Sequence, residues 1–122
     1  MRWAALASLL FIAGCVGGSI LADKPSDPSK AAFIAVDAPE HFSIHPTGHS
    51  DGEKDLQAPG IWVSDGWFVL YHSCGRPKDA QVETLSEHYT IHFKGGHRYT
   101  LGCDPDARDK ITLVDETTGD TL

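Results

Sequence analysis

The alternation in His88-Tyr-Thr-Ile-His-Phe93, broken by Lys94-Gly95-Gly96 and resumed through Arg98-Tyr-Thr-Leu-Gly-Cys103, constrains the fold of this chain more than any other stretch. Tyr89, Ile91 and Phe93 alternate with His88, Thr90 and His92, the period of a strand with one apolar face and one wet face. The two glycines supply the left-handed backbone of a tight loop without a Cβ clash. The pattern predicts a β-hairpin over Glu87–Cys103 in which Phe93 faces His97, Ile91 faces Tyr99, Tyr89 faces Leu101 and Thr90 faces Thr100. A slip by one residue would set Phe93 opposite Arg98 and mix the two faces. The hairpin also aims Cys103 at Cys74, which ends the other strongly apolar stretch.

That other stretch, Ile61-Trp-Val-Ser-Asp-Gly-Trp-Phe-Val-Leu-Tyr-His-Ser-Cys74, reads as a second hairpin turning at Asp65-Gly66. Both phases of its second half are bulky, Trp67, Val69 and Tyr71 against Phe68 and Leu70, which predicts a central strand covered on both faces. Ala31–Val36 reads as the first strand of the domain and Lys110–Asp115 as the last, followed by a turn at Thr117–Asp120. Asp104–Arg108 reads as a capped single turn. Between these lie a long loop, His41–Pro59, and an ambiguous segment: over 79–87, Val82, Leu85 and Tyr89 have helical spacing, whereas Leu85, Glu87 and Tyr89 also continue the strand period. Five or six short strands with frequent turns predict a mainly β fold, a small antiparallel barrel or sandwich with one disulfide and either a short helix or strand near 79–87.

The N-terminus speaks to compartment. Arg2 precedes an uncharged run from Trp3 to Ala22, an export signal that puts the remainder outside the cytoplasm. Within it, Leu10-Phe-Ile-Ala-Gly-Cys15 resembles the lipobox of bacterial lipoproteins, an aliphatic residue and two small ones ahead of a cysteine, with Ile12 where leucine is commonest. The resemblance covers only the first tenth or so of the chain. It implies a signal peptide over 1–14, cleavage before Cys15, acylation of Cys15 and, with Val16 rather than aspartate next, an outer-membrane location facing the periplasm. Two other readings stand beside it: an ordinary signal-peptidase site after Ala22, and retention of the run as an anchor. Gly17–Lys30, small and polar with Pro25 and Pro28, reads as a flexible tether to a domain over 31–122.

In an oxidising compartment, Cys74 and Cys103 form the pair left over for a disulfide once Cys15 is acylated. Ten Lys and Arg against 17 Asp and Glu leave a net charge of −7, which repels nucleic-acid phosphates and favours a cationic protein partner. His41, His45 and His49 recur every fourth residue ahead of Asp51 and Glu53, a candidate copper, nickel or zinc site, although Pro46 and Gly48 argue against a helix there. Asp104, Asp106 and Asp109 have the wrong spacing, with Pro105 and no bidentate glutamate, for a calcium loop. No phosphate loop, nucleophile elbow or metalloprotease motif is present, so no catalytic residue is assigned. The expected function is a non-enzymatic envelope lipoprotein that binds a partner, with a histidine-rich metal-binding protein as the alternative.

Overall fold

The computed structural model, which describes residues 17–75, 88–107 and 110–122, arranges the strands of the chain in two sheets. In chain order they are β1 (Ile20–Leu21), β2 (Ala31–Val36), β3 (Phe42–Pro46), β4 (Lys54–Asp55), β5 (Gly60–Ser64), β6 (Gly66–His72), β7 (His88–Phe93), β8 (Arg98–Cys103), β9 (Ile111–Asp115) and β10 (Asp120–Thr121). A six-stranded sheet runs β1-β5-β2-β8-β9-β10 and a four-stranded sheet β4-β3-β6-β7. All pairs are antiparallel except β2 with β8. Between the sheets Ile34, Val63, Tyr99 and Leu101 meet Phe42, Ile44, Phe68, Leu70 and Phe93, each side chain worth about 1.5–3 kcal/mol when withdrawn from water. The fold is a mainly β sandwich, not a closed barrel. Its two sheets are stapled by a disulfide between Cys74, just past β6, and Cys103, at the end of β8.

Neither hairpin read from the sequence forms. β7 pairs with β6, placing Trp67 opposite His92, Val69 opposite Thr90 and Tyr71 opposite His88, while β8 lies between β2 and β9 in the other sheet. Phe93 and Tyr99 still share the core, but they face each other from opposite sheets with rings edge-on at 5.0 Å. The neighbour expected for β8 is displaced by β2: Gly96 N–H donates to Ala31 O and Phe33 N–H to His97 O, so the early strand occupies that edge. Gly95 makes the crossing feasible, because a Cβ there would lie 2.7 Å from Ser29 O and 3.2 Å from Lys30 Cα. Ser64-Asp65-Gly66 is likewise a corner between sheets. β6 is a central strand, but only its Phe68 and Leu70 face is fully buried; Trp67, Val69 and Tyr71 are half-buried.

Two segments expected to lack regular structure contain it. Within His41–Pro59, Phe42–Pro46 form β3, with Phe42 and Ile44 in the core. Gly17–Lys30 is no free tether: Gly17 bridges Trp67, Ile20–Leu21 pair with β5, and Pro28–Lys30 form a single 3₁₀ turn capped by Asp27. Asp104 caps the turn after β8 as its position implied, its Oδ1 accepting from the N–H groups of Asp106 and Ala107. The segment 79–87 and Cys15 lie outside the described residues.

At the end of β9, Asp115 is buried and accepts three hydrogen bonds, from His97 Nδ1 at 2.7 Å and from the N–H groups of Thr117 and Thr118 at 3.0 and 3.3 Å. Burial raises its pKa, but those hydrogen bonds and the His97 charge outweigh it and hold the carboxyl below its ordinary value. A carboxyl lowered on folding stabilises the protein above its unfolded value, about 4, and that contribution disappears as pH falls through the lower folded value. The urea midpoint should therefore drop below pH ~4. Asp115→Asn should lose about 1–3 kcal/mol at neutral pH and flatten that drop. An unchanged acid limb in the variant would assign the slope to other carboxylates.

Candidate functional site

The outward face of the four-stranded sheet gathers five polar rings: His45, Trp67, Tyr71, His88 and His92. Cross-strand partners point to the same side of a sheet, so the registers set Ser43 and His45 of β3, Trp67, Val69 and Tyr71 of β6, and His88, Thr90 and His92 of β7 on one face. Trp67 stacks on His92 with centroids 5.1 Å apart and planes 19° apart. Tyr71 sits between His45 at 5.6 Å and His88 at 5.7 Å.

Hydrogen bonds fix several of these rings. His45 Nδ1 donates to Pro46 O at 2.7 Å, which leaves Nε2 to accept from the Tyr71 hydroxyl at 3.2 Å. Ser43 Oγ donates to the Glu53 carboxylate, and Asp55 pairs with Ser43 on the same side, so two carboxylates flank the β3 margin. Asp65, at the corner into β6, accepts from Gly95 N–H at 2.8 Å and from His92 Nε2 at 2.9 Å. The Gly95 N–H and then the His92 imidazole hold its carboxyl below the ordinary range, so it stays anionic at neutral pH. The result is a half-buried Trp and Tyr platform with carboxylates at two margins. No family model, curated protein or solved structure matches the chain.

The predicted metal ligands do not converge. His41 shares a hydrogen bond with Ser73 Oγ at 3.1 Å, His45 is buried in β3 with both ring nitrogens engaged, and His49 is exposed in the following loop. Residues four apart in extended chain lie about 13 Å from one another, so this spacing does not bring imidazoles together as a helix would, and only His45 of the three lies in β3. Among the described residues no group of three His, Cys, Asp or Glu side chains could hold a metal ion. His92 stacks on Trp67, while the Arg98 guanidinium lies 4.7 Å over the Phe33 ring in the other sheet. Sequence reasoning paired Trp67 with Tyr71 on one phase of β6 but read that phase as covered. The excess of histidine on the facing phase of β7 was the signal that it is not.

Proposed function

We propose that the chain is an exported envelope lipoprotein, anchored through Cys15, that acts as a non-enzymatic module binding a cationic protein. The anchor reading is supported by what the fold does with Gly17–Leu21. Cleavage after Ala22 would strip β1 from β5 and Gly18 from Phe68. Retention as an anchor leaves only Trp3–Val16 ahead of the fold, about 14 residues and ~21 Å as a helix, against a hydrocarbon core of ~30 Å. Such a run suits the apolar part of a cleaved signal, and cleavage before Cys15 leaves the whole fold intact.

The binding half is carried by one observation, the Trp67 and Tyr71 platform with Asp65 at one margin and Glu53 and Asp55 at another. Lys or Arg side chains sit favourably over such rings, by about 0.5–2 kcal/mol each, and the carboxylates steer a cationic surface towards them. Basic wall-degrading enzymes are partners of this chemistry in the envelope. On an immobilised panel of cationic hydrolases the protein should be retained at low ionic strength and released as salt rises. Trp67→Ala with Tyr71→Ala should weaken retention about tenfold. Absence of retention at low salt, or an unchanged affinity in the double variant, would remove the platform from the argument.

A further inference from the structure

We infer that no spacer separates the membrane anchor from the fold, so that one end of the sandwich, the end carrying Thr47–Gly52, Asp65 and Lys94–Gly96, lies directly against lipid. The inference rests on the anchor reading above and adds an orientation to it. The capture of the chain begins at Gly17 and is close enough that only glycine fits. A Cβ on Gly17 would lie 2.5 Å from Thr47 O, one on Gly18 would lie 2.5 Å from the Phe68 ring, and one on Gly66 would lie 2.5 Å from Gly18 Cα. Three hydrogen bonds hold the same segment: Gly18 N–H to Trp67 O at 3.3 Å, Ser19 N–H to Ser64 Oγ at 2.7 Å and Ser64 N–H to Ser19 O at 2.8 Å. Thr47 N–H donates to the same Trp67 O at 3.1 Å, tying the β3–β4 loop to this point.

The topology puts this point at one end of the molecule. β3 ends there at Pro46, β6 starts there at Gly66, and β7 arrives there at Phe93, whereas the Cys74–Cys103 disulfide and the Asp104–Ala107 turn sit at the other end of the strands. Strands of six residues separate the two ends by about 20 Å. Two residues of chain from Cys15 to Gly17 reach at most about 7 Å. Acyl chains on Cys15 in the bilayer therefore bring Thr47–Gly52 and Lys94–Gly96 to the headgroups, and leave the disulfide end and the ring platform's far margin turned away. The surface is placed by chain length rather than by charge, since Lys94 and Lys30 share that end with Asp65 and Asp51.

The test uses full-length protein purified from membranes, with the native disulfide intact and one added surface cysteine carrying a fluorophore: Ser50→Cys, Lys94→Cys or Asp106→Cys. Each is reconstituted in phosphatidylethanolamine/phosphatidylglycerol vesicles containing a headgroup spin-labelled lipid. Labels at 50 and 94 should be quenched at least about twofold more than the label at 106, and raising salt should leave the difference in place. A Gly/Ser insert of about ten residues between Val16 and Gly17, reaching roughly 17 Å, should abolish the difference. Equal quenching at both ends of the vesicle-bound protein overturns the inference. Protein that does not partition to vesicles at all overturns the anchor reading instead, so the two failures are distinguishable.

Discussion

Replacing Cys74 and Cys103 together with alanine should lower the unfolding free energy by about 3.5 kcal/mol. The bridge closes a loop across a sequence separation of 29, and the chain-entropy relation assigns a loop of that length this order of stabilisation. The effect is large because the disulfide joins the two sheets at the end of the sandwich where β6 and β8 finish, and because a domain of about 100 residues has only some 5–15 kcal/mol in total. Urea titrations of the wild-type and double-alanine proteins measure it directly. A loss below about 1 kcal/mol would mean that the core alone holds the sheets together.

Phe68→Ala should cost about as much or more, in the range of about 3–5 kcal/mol for deleting a buried aromatic ring. Phe68 is fully buried, packs against Phe93 with centroids 5.9 Å apart, and forms the wall on which Gly18 rests. Its neighbour in sequence supplies the control. Val69 points to the outward face, where truncation to alanine removes little buried surface, and should cost less than about 1 kcal/mol. Equal losses in the two variants would contradict the assignment of inner and outer faces to β6. In the Phe68 variant, amide exchange at Gly18 and Ser19 should rise before that of β2, because their seat on the domain is the ring that has been removed.

Strand positions were legible in the sequence where apolar residues alternated, as in β7, β8 and β9, or ran together, as in β2 and β6, and so was the Cys74–Cys103 pair. Partners were not. Period-2 patterning shows which residues share a face, and it correctly brought Phe93 and Tyr99 into one core. It cannot distinguish two strands lying side by side from two strands facing each other across a sandwich, since both bury the same residues. A Gly-rich connection serves either geometry, and the choice here depended on β2, more than 60 residues earlier in the chain, taking the place beside β8. β3 was missed because His45, Pro46 and the following Thr47-Gly48 have loop chemistry and outweigh the short Phe42 and Ile44 alternation. The ring platform was half legible: the residues were visible, but which of them met depended on the β6–β7 pairing.

The parallel pair β2–β8 has a consequence for the order in which the molecule can be made. Phe33 through Val36 align with Arg98 through Leu101, so one edge of β2 stays open until almost the whole chain is available. A polypeptide delivered from its N-terminus can close β2 on β5 early, but the six-stranded sheet is completed only when the last quarter arrives, and long-range closure of this kind is slow compared with local turns. Cys103 comes at the end of that same late strand. Oxidation of the pair therefore waits for β8, the same strand that closes the open edge of β2.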